Sequence, residues 1–160
     1  MNHLRALRPH QWVKNVFVLA ALIFSRNLLQ TELLVQSLMA FMAFSFTASS
    51  IYLVNDEADY ERDRLHPKKS KRPIASDKVK RPTALLMSVL VASLGLGLAW
   101  YLNRATGIVL TVYGIMNLAY SFRLKHIVLL DVFIIAAGFL LRVTAGAFAI
   151  DVPVSPWLLL

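Results

Sequence analysis

Residues 33–54 read LLVQSLMAFMAFSFTASSIYLV, and residues 55–64 continue directly as NDEADYERDR. The first segment carries no charge over 22 residues, which is enough for a helix to cross the hydrocarbon layer of about 30 Å. Its apolar residues do not alternate with period two, so it is predicted to be a helix and not a strand of a membrane barrel. The second segment adds five acidic residues at the end of that helix. This junction predicts a membrane protein with a polar site at one membrane face.

Further apolar blocks predict an all-α integral membrane protein built as a multi-helix transmembrane bundle. The chain of 160 residues is 58% hydrophobic with a mean hydropathy of +0.59, which leaves too little polar surface for a soluble domain. The predicted spans are about 12–29, 33–54, 83–102, 105–122 and 127–150, and all six prolines lie outside them. Residues 157–160 resemble the opening of another span. We therefore expect residues 1–160 to form a single transmembrane domain that is incomplete at its carboxyl end.

The basic residues predict which side of the membrane each loop faces. If the amino terminus is cytoplasmic, 14 of the 17 lysines and arginines lie on the cytoplasmic side, in agreement with the positive-inside rule. The loop of residues 55–82 then faces the cytoplasm from a multi-pass position in the inner (plasma) membrane. The same distribution explains the net charge of +8 and argues against nucleic acid as a partner. The chain has no cysteine, which excludes disulfides and thiolate chemistry.

The acidic segment places several oxygen ligands on one side if the helix continues past residue 54. At 100° per residue, Asp56, Asp59 and Asp63 fall within an arc of about 60°, and Asn55 lies about 40° beyond them. The two glutamates of the segment point to the opposite side. Carboxylates combined with substrate phosphates and water are the usual environment of Mg²⁺. The positions of these residues around the helix therefore predict a magnesium site. The alternative is a solvated acidic helix end that pairs with neighbouring basic residues.

A basic segment, HPKKSKRPI at residues 66–74, follows the acidic face within ten residues. A metal that bridges phosphate oxygens, together with Lys or Arg for the remaining charge, is what a diphosphate requires. Arg72 is our candidate for such a contact. The alternative is a polybasic anchor for anionic lipid, which does not account for the acidic residues beside it.

Two later positions are also candidates. An aspartate in an apolar span is expensive and is a functional candidate by default, which applies to Asp131. Tyr120 and Lys125 stand just before it, at the end of the fourth span. Arg142 shares the helical face of Asp131 but lies about 16 Å deeper, so the two cannot pair. Arg142 must find another partner or reach the outer interface; a salt bridge within the bundle is the alternative for Asp131.

Near the amino terminus, Lys14 and Asn15 lie at the predicted membrane edge, where an anionic group would be bound. The alternative is a plain interfacial anchor, which suits the neighbouring Trp12. The four histidines have no metal-ligand spacing, and there is no glycine-rich phosphate loop.

The pattern ND-x-x-D-x-x-x-D at 55–63, followed by KRPI at 71–74, resembles the first signature of the UbiA superfamily of intramembrane prenyltransferases. Members of that superfamily hold magnesium and diphosphate on two aspartate-rich cytoplasmic segments above a lipid-facing cavity. The second segment would correspond to Tyr120, Lys125 and Asp131, where this sequence has one aspartate in place of an obvious pair.

One branch of the superfamily is more similar. RPxQWxKN at 8–15, YSxxLK at 120–125 and LDV at 130–132 resemble the polyprenyl-phosphate phosphoribosyltransferases. The resemblance implies a magnesium-dependent transferase that moves 5-phosphoribose from phosphoribosyl diphosphate to a polyprenyl phosphate, such as decaprenyl phosphate, in cell-wall precursor synthesis. It also implies that the chain covers the amino-terminal half of the family fold.

The resemblance also implies a role for each candidate residue. Asp56, Asp59 and Asp63 would hold Mg²⁺, and Asp131 would complete the metal shell or steady the developing cation at the ribose carbon. The expected substrate-binding residues are Lys14, Asn15, Asn55, Arg72, Tyr120 and Lys125. Two alternatives stay open: a prenyltransferase that moves a prenyl group from prenyl diphosphate to an aromatic acceptor, and a membrane fragment that is inactive on its own.

Overall fold

The computed structural model describes residues 2–122 and 128–154, and every regular element in that part of the chain is a helix. In chain order the elements are α1 (Asn2–Ala6), a 3-10 helix (Pro9–Leu19), α2 (Ala20–Phe24), α3 (Thr31–Ala58), α4 (Tyr60–Leu65), a 3-10 turn (Lys69–Lys71), α5 (Arg81–Leu102), α6 (Arg104–Phe122) and α7 (Val128–Ala149). The helices α3, α5, α6 and α7 are long and apolar enough to cross a membrane. The predicted all-α membrane fold is therefore confirmed. The apparent opening of another span at 157–160 lies outside the described residues.

The first apolar segment differs from the single helix predicted over 12–29. It forms the 3-10 helix and then α2, which ends at Phe24. A 3-10 helix has three residues per turn, and the buried side of this one repeats every three residues, at Trp12, Asn15 and Val18. Eleven residues rising about 2.0 Å each and five rising about 1.5 Å add up to roughly 30 Å if the two helices run in line. The longer rise of the 3-10 helix thus gives the segment more length than an α-helix of the same number of residues.

Two glycines allow the helices to approach closely. A Cβ on Gly95 of α5 would lie 2.5 Å from Oγ1 of Thr47 and 2.8 Å from the carbonyl oxygen of Ala43, both on α3. A Cβ on Gly146 of α7 would lie 1.8 Å from the carbonyl oxygen of Val18. Small residues at such crossings are typical of membrane bundles, where close packing replaces the hydrophobic effect between helices.

The outer side of α5 is a continuous apolar surface. Leu86, Val89, Leu90 and Leu94 recur at helical spacing and are 56–62% exposed. A patch of this kind is unfavourable in water and matches the lipid hydrocarbon. The lipid-facing side of the bundle therefore includes α5.

The polar loop after α4 folds back onto the end of α3 through its few apolar residues. Ile74 is fully buried in a cluster with Leu53 of α3 and Tyr60 of α4. This apolar anchor fixes the loop on the bundle, and it brings the neighbouring Arg72 over the end of α3.

Charged and polar contacts hold the same loop from its outer side. The Tyr60 hydroxyl donates to Oδ1 of Asp77 at 2.7 Å, and Nη1 of Arg64 lies 3.2 Å from Oδ2. The hydrogen bond from Arg64 to the Tyr60 hydroxyl, and then the charge of Asp77, raise the pKa of Arg64 above its ordinary value. Asp77 adopts the left-handed conformation, with φ 57°. The loop is therefore fixed by packing on one side and by ionic contacts on the other.

Candidate functional site

Two buried carboxylates meet on one arginine at the end of α3. Asp56 and Asp63 are each only 2% exposed. Nη1 of Arg72 lies 3.0 Å from Oδ1 of Asp56 and 2.6 Å from Oδ2 of Asp63. A single cationic nitrogen therefore bridges both carboxylates, which means that the two acids converge on one small volume.

Two further cations surround this pair. Arg8 donates through Nη2 to the same Oδ1 of Asp56, and Nζ of Lys69 lies 3.8 Å from Oδ1 of Asp63. The backbone of Arg8 is left-handed, with φ 52°, a strained conformation that clusters at functional sites. We call Asp56, Asp63, Arg8, Lys69 and Arg72 the carboxylate–arginine cluster. Three cations therefore contact the two carboxylates, and they are the basic groups that an anion at this position would meet.

Helical spacing continues across the junction of α3 and α4, although Asp59 interrupts the regular helix. The Asp59 amide donates to the carbonyl of Asn55 at 3.0 Å, and the Asp63 amide donates to the carbonyl of Asp59 at 2.8 Å. Asp56 and Asp63 consequently lie on the same side of the α3–α4 segment, as their helical spacing predicts. Asp59 and Asn55 are half-buried at the bend itself.

The two glutamates of the acidic segment point away from the cluster. Oε1 of Glu57 accepts from Nε and Nη2 of Arg81 at 3.0 and 2.6 Å, at the start of α5. Glu61 is exposed. These acids contribute to loop attachment and to the surface, and they are matched controls for the buried aspartates.

The chemistry of the cluster fits a magnesium ion shared with a substrate. Within residues 2–122 and 128–154, no three His, Cys, Asp or Glu side chains converge as a complete metal cage. Mg²⁺ does not need one, because it usually takes one or two carboxylates and completes its shell with phosphate oxygens and water. Asp56 and Asp63 supply that number of ligands. With the metal present, Arg72 and Arg8 would be released to contact the phosphates.

A cleft of about 310 Å³ opens beside the cluster, between the 3-10 helix, α3, α6 and α7. Its polar lining consists of Lys14, Tyr52, Tyr113, Asn117, Tyr120 and Arg142, and the rest is apolar. Tyr52 joins the cleft to the cluster: it lies one turn before Asp56, and the guanidinium of Arg8 is 5.2 Å from its ring centre. The cleft and the cluster are therefore neighbours that share Tyr52 as a common wall.

Tyr120 and Asp131 are brought together as the sequence suggests. The Tyr120 hydroxyl donates to Oδ1 of Asp131, which joins the end of α6 to the first turns of α7. Tyr120 and Lys14 line the cleft. Lys125 lies outside the described residues.

Asn15 is placed differently from its neighbour Lys14, because it is buried and does not line the cleft. Its Nδ2 donates to Oγ of Ser45 at 3.1 Å, and its Oδ1 accepts from Nε of Arg142 at 2.9 Å. Arg142 also donates to the carbonyl of Gly138 at 2.7 Å and to the Tyr113 hydroxyl at 3.0 Å. Arg142 therefore does find partners inside the bundle, and Asn15 orients it.

Sequence reasoning missed Tyr113 and Asn117, which line the cleft. With the expected Tyr120 they stand at i, i+4 and i+7 on α6, a polar stripe in an apolar span that helical periodicity makes detectable. Arg8 belongs to the motif at 8–15, but that motif gives no sign of its contact with Asp56, which spans 48 residues of sequence.

Comparison with known proteins adds independent information. The sequence pattern of the UbiA prenyltransferase family matches residues 15–160. A decaprenyl-phosphate phosphoribosyltransferase from Mycolicibacterium smegmatis is 42% identical, over 98% of this chain and 51% of its own length. One from Mycobacterium tuberculosis is 41% identical, over 98% of this chain and 53% of its own length. The chain thus spans about half the length of the curated relatives it matches.

Solved structures share the fold. A digeranylgeranylglyceryl phosphate synthase matches with a TM-score of 0.82 at 23% identity, covering 93% of this chain and 54% of its own. A UbiA homologue from Archaeoglobus fulgidus, bound to GPP and Mg²⁺, matches with a TM-score of 0.79 at 22% identity. That match covers 98% of this chain and 56% of the homologue. The shared helical arrangement places the fold of this chain among theirs.

Proposed function

The chain belongs to the UbiA prenyltransferase family, and on that premise we propose that it serves magnesium-dependent transfer of 5-phosphoribose from phosphoribosyl diphosphate to a polyprenyl phosphate. The similarity to the mycobacterial decaprenyl-phosphate phosphoribosyltransferases supports this choice of substrates, with decaprenyl phosphate as the acceptor. The product would be a cell-wall precursor. The reaction would take place at the cytoplasmic face of the plasma membrane, where the basic loops are expected to lie.

The observation that carries the proposal is the convergence of Asp56 and Asp63 on one nitrogen of Arg72. Two carboxylates that meet on a cation suit Mg²⁺ with a diphosphate. When bound, the metal would neutralise charge that develops on the leaving diphosphate. Asp59 and Asn55, at the bend between α3 and α4, would complete the set of oxygen ligands.

The basic residues of the cluster would hold the donor's phosphates. Arg8, Lys69 and Arg72 already surround the carboxylates. Guanidinium groups bind phosphate in a bidentate manner, with charge-assisted hydrogen bonds. Lys14 at the cleft wall, and Lys125 beyond α6, would bind the same diphosphate or the acceptor phosphate.

The cleft would hold the ribose and the phosphate end of the lipid. An oxygen of the lipid phosphate attacks the ribose C1 carbon, the bond between C1 and the diphosphate oxygen breaks, and diphosphate leaves with the bonding electrons. The acceptor oxygen is already ionised, so no strong general base is required. Asp131, oriented by Tyr120, would steady positive charge that develops at the ribose carbon.

The alternative enzyme, an aromatic-acceptor prenyltransferase, would use the same metal site with a prenyl diphosphate. Six polar and six apolar residues line the cleft, so its apolar side would also accept a prenyl tail. Its two cations, Lys14 and Arg142, would bind a phosphate of a phosphorylated sugar and would find no partner on a prenyl tail. These two cations therefore favour phosphoribosyl diphosphate as the donor.

Equilibrium binding to the purified chain in detergent tests the proposal. We expect labelled phosphoribosyl diphosphate to bind saturably with Mg²⁺ and to be released by a chelator. Unlabelled prenyl diphosphate should compete poorly. Tight binding of prenyl diphosphate with no binding of phosphoribosyl diphosphate would favour the alternative enzyme, and binding of neither would contradict both.

A further inference from the structure

Arg142 is a buried cation inside a membrane helix. It lies in the middle of α7 and is 7% exposed. Its three hydrogen-bond acceptors are the Asn15 side-chain oxygen, the Gly138 carbonyl and the Tyr113 hydroxyl, all uncharged. Three aromatic rings, of Phe44, Tyr113 and Phe139, lie 5.1–5.5 Å from the guanidinium carbon.

The charge of Arg142 has no counter-ion among the described residues, because none of their carboxylates forms an ion pair with it. An unpaired charge in a membrane interior is strongly unfavourable, and such residues face a cavity or mark a substrate pathway. Asn15 and Tyr113 orient the guanidinium without neutralising it. The arrangement is that of a preorganised anion site and not of a structural ion pair.

The guanidinium is open to a ligand. Arginine carries five N–H donors, and the hydrogen bonds above use three, so one N–H on each terminal nitrogen has no acceptor among the residues that the structure describes. Arg142 lines the cleft, and Gly138 beside it has no side chain: a Cβ there would lie 3.2 Å from Nη1. The free donors and the space next to them suit a tetrahedral oxyanion.

This position is separate from the carboxylate–arginine cluster. Arg142 reaches back one turn to Gly138, which lies seven residues, or about 10 Å of helix, beyond Asp131. On α3 the guanidinium lies beside Phe44, twelve residues or about 18 Å of helix before Asp56, so it stands deeper in the bundle than the end of α3, where the diphosphate would bind. One ligand with two separated phosphate groups, or two ligands with one phosphate group at each site, would occupy both.

We propose that Arg142, held by Asn15 and Tyr113, binds a phosphate monoester in the cleft. The inference rests on the proposed function, which offers two sources: the 5-phosphate of the phosphoribosyl donor and the phosphate of the polyprenyl acceptor. Under this proposal Arg142 determines substrate specificity, because a prenyl diphosphate bound at the carboxylate–arginine cluster has no second phosphate that reaches Arg142.

Asn15→Asp provides the sharpest test, because it supplies an internal counter-ion without changing the size of the side chain. The new carboxylate pairs with Arg142, so the melting temperature of the ligand-free chain should rise. Affinity for the phosphate-bearing ligand should fall about ten- to a hundredfold. Asn27→Asp, outside the cleft, is the matched control and should leave that affinity unchanged.

Pairs of ligands identify the source of the phosphate. Phosphoribosyl diphosphate is compared with its analogue lacking the 5-phosphate, and a short-chain polyprenyl phosphate is compared with the corresponding alcohol. A loss confined to phosphoribosyl diphosphate assigns Arg142 to the donor, and a loss confined to the lipid phosphate assigns it to the acceptor. Arg142→Gln should lose affinity for the same phosphate-bearing ligand as Asn15→Asp does. Arg104→Gln, on the exposed end of α6, should not lose it.

Two outcomes would overturn the inference. If Asn15→Asp folds and binds both phosphate-bearing ligands as tightly as the unchanged chain, Arg142 has only a structural role, and the proposed function is unaffected. An equal loss for ligands with and without the phosphate would also mean a structural role. If the unchanged chain binds neither phosphoribosyl diphosphate nor polyprenyl phosphate, the proposed function fails and the inference fails with it.

Discussion

Nη1 of Arg72 lies 2.6 Å from Oδ2 of Asp63, and the same nitrogen reaches Asp56 at 3.0 Å. An arginine in the loop after α4 thus occupies the point on which two buried carboxylates converge. In the proposed site this contact is exchangeable: Mg²⁺ replaces the guanidinium between the carboxylates, and Arg72 turns to the diphosphate. The cluster is therefore expected to bind metal and donor together.

Substitution of the three aspartates of the acidic segment should weaken donor binding far more than substitution of its two glutamates. Asp56→Asn, Asp59→Asn and Asp63→Asn should each abolish magnesium-dependent binding of phosphoribosyl diphosphate, because each removes an anionic oxygen ligand. Titration of the purified variants with labelled donor measures this. Glu57→Gln and Glu61→Gln are the controls, and a loss at Glu57 as large as at Asp56 would mean that the wrong helical face has been chosen.

Arg72→Gln should destabilise the metal-free chain and increase its response to metal. Without Arg72, two buried carboxylates lose a shared partner, at a cost of roughly 1–3 kcal/mol. Mg²⁺ should then raise the melting temperature of the variant more than that of the unchanged chain. The comparison is made in detergent, with and without Mg²⁺, and equal shifts would show that the ion binds away from Asp56 and Asp63.

Close packing at Gly146 should tolerate no added methyl group. Gly146→Ala puts a Cβ 1.8 Å from the Val18 carbonyl oxygen, which forces the 3-10 helix away from α7 and costs about 1–3 kcal/mol or more. Thermal unfolding in detergent reports the loss. Gly97→Ala is the control, since nothing lies within 4 Å of its Cβ; a Gly146→Ala variant as stable as Gly97→Ala would contradict the packing described.

The two ends of the bundle should be accessible from opposite sides of the membrane. Lys69 lies in the loop after α4, and Asn103 joins α5 to α6 at the other end of α5. Because the basic loops are expected in the cytoplasm, a cysteine at Lys69 should react with a permeant reagent only. A cysteine at Asn103 should react with an impermeant reagent added outside intact cells. Labelling of both from one side would overturn the proposed topology.

Sequence reasoning predicts the arrangement of the candidate residues where that arrangement depends on local spacing. Asp56 and Asp63 share a side, and Glu57 leaves it, because near-helical hydrogen bonding persists through Asp59. The contact between Arg8 and Asp56 depends on how the amino-terminal segment packs on α3, which no local pattern encodes. The sequence does not predict the hydrogen-bond partners of Arg142 for the same reason, because Asn15 is 127 residues away along the chain.

The 3-10 helix is predicted only in part: the sequence indicates an apolar segment there but not its helix type. Its inward-facing residues Trp12, Asn15 and Val18 are spaced by three, but they differ in polarity, so hydropathy does not indicate the helix type. The pitch matters because it turns Asn15 toward both Ser45 and Arg142. A local geometry that sequence analysis left undetermined therefore sets the position of a residue expected at the site.

The central claim, that Asp56 and Asp63 hold a metal in contact with the donor's diphosphate, is tested most directly by pulsed electron paramagnetic resonance with Mn²⁺ in place of Mg²⁺. With phosphoribosyl diphosphate bound to the purified chain, we expect hyperfine coupling between Mn²⁺ and the ³¹P nuclei of the diphosphate. The coupling should be present in Glu57→Gln and absent in Asp63→Asn. Coupling of unchanged strength in Asp63→Asn, or none in the unchanged chain with bound donor, would contradict the claim.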